Sequence, residues 1–239
     1  MKKKLRSRGI RLKKNENMSY VESKIYYEPE NILFKNQKIC EWESRKILRL
    51  FEYSEINNCV DTFNFHVDLL QDYSCLYDEL DDTEKDVIYK IPQIFDERFK
   101  NYTVGYRLQD DAIVGQSYYF YPTFLKDYRY GIKGITDTTT IANHVKKFAM
   151  SVSDGTACGN EIVEFGLLLN KLKGVSFHIN SKMHSYKLYG RMDFEVLRTY
   201  LLKNMGYDLN DLVVYGEVAL VAQRIENGCV TGYNVYYLL

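Results

Sequence analysis

The sequence predicts an α+β fold in which helices cover one face of an antiparallel sheet. From residue 40 onward, segments with helical periodicity alternate with segments of strand periodicity, and a unit of helix, two strands and helix recurs. Consecutive strands are joined mainly by short turns, which favours hairpins over parallel βαβ units. No linker rich in Pro, Gly or Ser interrupts this pattern, so residues 21–239 are predicted to form a single domain.

The amino end of the chain is set apart by its charge. Residues 1–15, "MKKKLRSRGIRLKKN", lack the apolar segment that a signal peptide requires. Residues 1–20 are therefore predicted to be a disordered basic leader, and an arm that binds an anionic partner is the alternative. Met18 is then a second candidate for the start of the chain.

Charge and composition argue against two classes of partner. The chain has 32 basic and 32 acidic residues, so its overall charge does not predict binding to nucleic acid or to a membrane surface. The sequence contains no run of 18 apolar residues that would predict a membrane span. Five cysteines without a C-x-x-C pair indicate reduced thiols in a cytoplasmic protein. The 22 tyrosines indicate either an aromatic-lined cavity or ordinary strand propensity.

Five segments have the periodicity of amphipathic helices: residues 40–56, 83–99, 139–150, 160–172 and 193–205. Pro92 is expected to kink or interrupt the second of them. Asn160 and Asp193 are predicted to cap the last two at their N termini. Between the third and fourth helices, "SVSDGTACGN" (151–160) is predicted to be a connection in which Asp154 and Gly155 turn the chain.

Strand patterns fall between these helices, at residues 62–70, 128–135, 174–192 and 213–239. The first alternates strictly and places Asn64, His66 and Asp68 on its polar face. The last two are predicted to be hairpins, the second of them with Asn227 and Gly228 in its turn. Each strand has a polar face opposite its apolar one. That polar face meets solvent in a flat sheet and lines a lumen in a closed barrel.

A family resemblance rests on the loop 151–160, the apolar helix after it and the hairpin "GVSFHINSK…YKLYGRM". Together they resemble the corresponding segment of the cyanobactin-type prenyltransferases, which have the ABBA (αββα) barrel fold. The resemblance is best between residues 127 and 192. Elsewhere, "FKNQ" (34–37) and "LFEYSEI" (50–56) resemble the family's first helices, and "NVYYLL" resembles its tyrosine-rich final strand.

The resemblance implies a prenyltransferase of RiPP biosynthesis. Such an enzyme transfers a dimethylallyl or geranyl group from its diphosphate to a residue of a ribosomally synthesised peptide, usually with Mg²⁺. Cationic and hydroxyl groups must hold the departing diphosphate, while electron-rich faces shelter the allyl cation from water. Tyrosine serves both needs through its hydroxyl and its ring.

The resemblance also implies which residues form the site. The candidate diphosphate-binding residues are Arg129, Lys133, Lys187, Tyr189 and Arg191, and the candidate lumen-lining residues are Asn64, His178 and Tyr237. For each of them, a solvated strand face with cross-strand charge pairing is the alternative. The sequence does not indicate which residues would hold a metal.

The chain departs from the family pattern in two ways. The family places a glutamate on its first inward-facing strand, whereas residues 62–68 offer His66 and Asp68 as candidate catalytic groups. For His66, a structural role in the sheet is the alternative. Only eight or nine strands are predicted where the barrel has ten. The barrel is then short by one repeat, open at one side, or completed by a second copy in a homo-oligomer.

These departures leave a second functional hypothesis, which is a degenerate αββα protein that binds a peptide without prenylating it.

Overall fold

The computed structural model describes most of the chain in nine ranges and six separate residues. The ranges are residues 4–14, 21–28, 48–56, 59–68, 100–109, 112–121, 134–180, 183–210 and 218–238, and the separate residues are Gln37, Cys40, Asp82, Lys85, Asp86 and Tyr89. The described part contains ten strands and three helices. They are β1 (Lys4–Lys13), β2 (Val21–Glu28), β3 (Leu48–Ile56), β4 (Cys59–Asp68), β5 (Lys100–Gln109), β6 (Ala112–Tyr121), α1 (Thr138–Val152), α2 (Thr156–Leu167), β7 (Lys171–Asn180), β8 (Met183–Arg191), α3 (Phe194–Met205), β9 (Val218–Glu226) and β10 (Cys229–Leu238).

All ten strands belong to one sheet, in which each hydrogen-bonded pair is antiparallel. Its order is β2-β1-β10-β9-β8-β7-β6-β5-β4-β3. The two strands at the ends of this order, β2 and β3, approach each other with Cα atoms within 8 Å. The predicted α+β class and the antiparallel sheet are confirmed.

The three helices cover one face of the sheet. Phe148 of α1, Phe165 of α2 and Leu201 of α3 are fully buried in the main core. They share this core with alternate residues of the strands, among them Phe177 and Val235. The strand residues between these alternate positions belong to the opposite face, which the helices do not cover. In the described part of the chain, no helix is long and apolar enough to cross a membrane.

The predicted helices α1 and α3 are confirmed. Asp193 caps α3 as expected, since its side chain accepts a hydrogen bond from the Glu195 amide at 3.0 Å. The expected cap of α2 is wrong, because this helix begins four residues earlier, at Thr156. Gly155 precedes it with φ of 94°, a conformation that favours glycine, and Asn160 lies inside the helix.

The hairpin turn between β9 and β10 agrees with the sequence. Asn227 and Gly228 have φ of 49° and 74°, as a two-residue type I′ turn requires. The hairpin formed by β7 and β8 also lies where residues 174–192 predicted it.

The predicted disordered leader is wrong over residues 4–13, because these residues form β1. This strand lies between β2 and β10 in the sheet, so residue 20 does not separate a leader from the domain. The physical reason is its alternation, in which Ile10 and Leu12 are 5% and 0% exposed in the core. Arg11 between them and Lys13 after them conceal this alternation in the sequence.

The predicted helix over residues 40–56 is wrong from residue 48, where β3 begins. "LRLFEYSEI" pairs with β4 in antiparallel register, and a short apolar run of this kind fits helix and strand periodicity equally well. With β1 and β3 included, the described part has ten strands, so the expectation of eight or nine was too low. Of the predicted helix 83–99, Lys85, Asp86 and Tyr89 are described and are helical.

Close contact between α1 and α2 gives a first prediction. A Cβ at Gly166 of α2 would overlap both methyl groups and Cβ of Val145 in α1. We expect Gly166→Ala to lower the free energy of unfolding by roughly 1–3 kcal/mol, because the two helices must separate or Val145 must leave its rotamer. Urea denaturation measures this change. Gly159→Ala on the same helix meets only the Ser153 side chain, at 3.1 Å from its Oγ, and serves as the control.

Candidate functional site

The sheet face opposite the helices carries a second, smaller aromatic cluster. Tyr189 of β8, Ala222 of β9 and Tyr236 of β10 form it, and Tyr119 of β6 and Leu220 of β9 pack against them. The ring centroids of Tyr119 and Tyr189 lie 6.4 Å apart. Four strand pairings, from β6 to β10, bring these residues together, so the cluster depends on the register of the sheet.

Polar residues surround this cluster in rows that cross the strands. Lys187 is the register partner of Ser176 on one side and of Arg224 on the other. His178 is the partner of Ser117 and of Ser185 in the next row. Register partners project to the same face of a sheet. The structure therefore brings the predicted residues His178, Lys187 and Tyr189 to one face.

Lys173 is the most unusual group at this site. It lies at a bulge between Leu172 and Gly174, where two residues of β7 oppose Tyr189. Lys173 is only 8% exposed. Burial lowers its pKa to about 8, and the positive charges of Lys171 and Arg191 contribute to this lowering. Among the described residues, no carboxylate forms an ion pair with the Lys173 ammonium.

A cation cluster thus borders the aromatic cluster. It consists of Lys171, Lys173 and Arg191, of which Lys171 and Arg191 are register partners. A buried cation beside two others is unfavourable unless an anion offsets the charge. The described part of the chain does not supply that anion at Lys173, so the cluster is suited to bind one.

A chain of hydrogen bonds fixes the tyrosine next to this cluster. The Ser176 hydroxyl donates to the Tyr189 oxygen at 3.1 Å and lies 2.5 Å from Nε2 of His178. Nδ1 of the same imidazole lies 2.7 Å from the Ser117 hydroxyl, so both ring nitrogens of His178 have a serine partner. The ring of Tyr119 stands edge-on to His178 with centroids 5.8 Å apart.

Glu226 also lies on this face, and its carboxylate is engaged by two arginines. Arg224 donates a hydrogen bond to Glu226, and Arg11 lies 4.0 Å from the same carboxylate oxygen. Burial and the charge of Arg11 lower the pKa of Arg224. Among the described residues, no group of three His, Cys, Asp or Glu side chains comes together as a metal site would require.

The other predicted site residues fall into three groups. Asn64, His66 and Asp68 lie on β4, whose backbone register pairs them with Arg107, Gly105 and Thr103 of β5. Arg129 and Lys133 lie outside the described residues. The predicted lumen position of Tyr237 is wrong.

Tyr237 is fully buried in the main core on the helix-covered face. The reason is the regular alternation of β10, which places Tyr237 on the same face as Tyr233 and Val235 and leaves Tyr236 in the aromatic cluster. The alternation of Val235 and Tyr237 in "NVYYLL" could have placed Tyr237 on the helix-covered face.

Sequence reasoning also missed Tyr119, Lys173 and Arg224. Tyr119 and Arg224 follow the alternation of "GQSYYFY" and "VALVAQRIE", which could have identified them. Lys173 follows no alternation, because the bulge interrupts it. The chain matches no family model and no curated protein sequence.

The burial of Lys173 gives a second prediction. In nuclear magnetic resonance spectra of protein with labelled lysine side chains, one resonance should titrate near pH 8 and be absent from Lys173→Met.

The same burial affects stability. Unfolding restores the pKa of 10.5 that lysine has in water, so between these two pKa values the unfolded state holds the extra proton. Stability should therefore rise with pH across that interval. Lys173→Met should lose this part of the pH dependence. If no lysine resonance titrates near pH 8, the burial of Lys173 is contradicted.

Proposed function

We propose that the chain is a prenyltransferase that transfers an isoprenyl group from its diphosphate to a residue of a ribosomally synthesised peptide. The observation that carries this proposal is the joint presence of the cation cluster and the tyrosine cluster on one sheet face. A cation cluster alone would fit any anion. The three tyrosine rings beside it add the electron-rich surface that an allyl cation needs.

We also propose that the sheet closes into an ABBA barrel with this face as its lumen. Ten antiparallel strands are the number that such a barrel has. The approach of β2 to β3 supports closure, since these are the end strands of the sheet order. Closure would leave the helix-covered face outside and exclude bulk water from the opposite face.

Residues of this chain can serve each step of the proposed transfer. The diphosphate would bind Lys171, Lys173 and Arg191, whose charge stabilises the anion as the bond between the allylic carbon and oxygen breaks. The electron pair of that bond goes to the diphosphate. Tyr189 and Tyr236 would shelter the allyl cation with their rings. The nucleophile of the acceptor side chain then bonds to the allylic carbon and loses its proton to a base.

Three residues are candidates for that base or for a group that orients the acceptor. Two of them, His66 and Asp68, are the candidate catalytic groups that the sequence indicated. The third is Glu52 of β3, the register partner of Asn64. It would supply the glutamate that residues 62–68 lack, and it was missed because residues 48–56 have helical spacing in the sequence.

Magnesium remains an expectation of the resemblance. The described residues provide no group of three ligands for it, and Glu226 is already engaged by arginines. The ion would therefore depend on the oxygens of the diphosphate or on ligands outside the described part. The roles proposed for the cation cluster and the tyrosines do not require it.

The test is a transfer assay. Purified protein is incubated with dimethylallyl or geranyl diphosphate, magnesium and candidate peptides, and the peptides are examined by mass spectrometry for an isoprenyl adduct. An adduct that requires both diphosphate and protein supports the proposal. Peptide binding by titration without any adduct would instead support the degenerate peptide-binding protein.

Lys187 provides a third prediction. Its register partner is Arg224, one row from Tyr189, so its charge lies beside the proposed diphosphate site. Lys187→Ala is expected to weaken the binding of a non-hydrolysable isoprenyl diphosphate analogue roughly tenfold or more, and peptide binding far less. Isothermal titration of each ligand measures the two effects. Equal losses for both ligands would place Lys187 elsewhere than the diphosphate site.

A further inference from the structure

Two cysteines from distant parts of the chain meet at the edge of the helix layer. Cys158 lies in the first turn of α2 and Cys229 is the first residue of β10, and their Sγ atoms are 2.7 Å apart. A covalent S–S bond is about 2.05 Å long, so the two sulfurs need to move by less than an ångström to reach bonding distance. Both are free thiols in this structure.

The backbone holds this pair in place independently of the thiols. The Asp154 amide donates to the Gly228 carbonyl at 3.0 Å, which joins the start of α2 to the β9–β10 turn. The approach is so close that a Cβ at Gly228 would overlap the Asp154 backbone. Glu161, one turn further along α2, accepts hydrogen bonds from Tyr233 of β10 and Lys14 after β1. A bond between the sulfurs would therefore form without a rearrangement of the fold.

The two thiols differ in a way that sets the order of reaction. Cys229 is exposed, whereas Cys158 is partly covered. The hydrogen bond to Cys229 raises the pKa of Cys158, and the nearby charges of Glu161 and Asp154 raise it further. Cys158 therefore ionises less readily, and the exposed sulfur of Cys229 is the one that an external reagent meets first.

We propose that Cys158 and Cys229 form a reversible disulfide by exchange with low-molecular-weight disulfides. The Cys229 thiolate attacks one sulfur of the external disulfide, and the first external thiolate leaves. The Cys158 thiolate then attacks the Cys229 sulfur of the mixed disulfide and displaces the second external thiolate. The two protein thiols are oxidised by two electrons, the external disulfide is reduced to two thiols, and the two protein protons pass to those thiols.

The acidic surroundings predict which disulfides react fastest. Asp154 acts on this site electrostatically, and Glu161 does so less because Lys14 lies 2.6 Å from its carboxylate, so a cationic disulfide should approach more readily than an anionic one. Cystamine is therefore expected to close the bond several-fold faster than oxidised glutathione at equal concentration. Raising the salt concentration should reduce the difference, because it screens charges at exposed sites.

The experiment uses the full-length chain equilibrated with glutathione buffers of graded redox poise. Remaining thiols are alkylated and the protein is digested and mapped by mass spectrometry without reduction. We expect one linked peptide pair joining Cys158 and Cys229, and a thermal midpoint that rises by roughly 5–10 °C in the oxidised form. Dithiothreitol should reverse both changes.

Variants give the controls. Cys158→Ser should accumulate the mixed disulfide at Cys229, because the second step is lost, and Cys229→Ser should abolish both products at this site. Cys40→Ser should leave the linkage unchanged. Two alkylated thiols at Cys158 and Cys229 under oxidising buffer would overturn the proposal, as would a stable mixed disulfide in the unaltered protein. The peptide map of the unaltered protein detects the disulfide even if a variant folds poorly. The peptide map and the thermal midpoint do not depend on prenyl transfer.

Discussion

Lys173→Met is expected to lower the affinity for inorganic pyrophosphate by roughly 100-fold, the size of effect seen when a buried charge loses its partner. Lys173 is the most buried member of the cation cluster, so its charge is the least screened by water. Isothermal titration at pH 7 measures the affinity. This pH lies below the lowered Lys173 pKa of about 8, so the ammonium is charged.

The same substitution should not destabilise the fold. Methionine has a similar length and removes a buried charge that has no carboxylate partner among the described residues. The free energy of unfolding should stay level or rise by about 1 kcal/mol. Lys147→Met, on the exposed face of α1, is the matched control and should change neither quantity. Unchanged pyrophosphate affinity in Lys173→Met would remove the basis for the proposed diphosphate site.

A chain that starts at Met18 is expected not to fold. It lacks β1, and with it the pairing partner of both β2 and β10. It also loses Ile10 and Leu12 from the core, each worth roughly 1.5–3 kcal/mol of burial. Together with ten or so lost backbone hydrogen bonds, this approaches the roughly 5–15 kcal/mol by which domains are stable.

Far-ultraviolet circular dichroism and size-exclusion chromatography measure the outcome of this truncation. Removal of residues 1–3 alone, which precede β1, is the control and should leave the fold intact. A chain beginning at Met18 that unfolds cooperatively at the same temperature as the full chain would show that β1 contributes nothing.

The sequence predicted those parts of the fold that depend on local signals. Asp193 at the start of α3 and Asn227 and Gly228 in the last hairpin are local chemical features, and both elements lie where they were expected. The polar face of β7 and β8 was also predictable, because period-two alternation survives there.

The errors share a different physical origin. Residues 48–56 form a strand because β4 pairs with them, and no local sequence signal indicates this pairing. A bulge in β7 interrupts the alternation at Lys173, since one extra residue reverses the facing of every later position. The polar sheet face was thus predictable from the alternation, but not the placement of each residue on it.

The pairing of β1 with β10 has a consequence for synthesis of the chain. Leu12 and Tyr233 are register partners. One edge of β1 therefore has no pairing strand until β10, about 220 residues later in the sequence, has been synthesised. Until then its apolar residues and unpaired amides are exposed to other chains. The five basic residues of this strand discourage premature association, as gatekeepers do beside aggregation-prone segments; they are Lys4, Arg6, Arg8, Arg11 and Lys13.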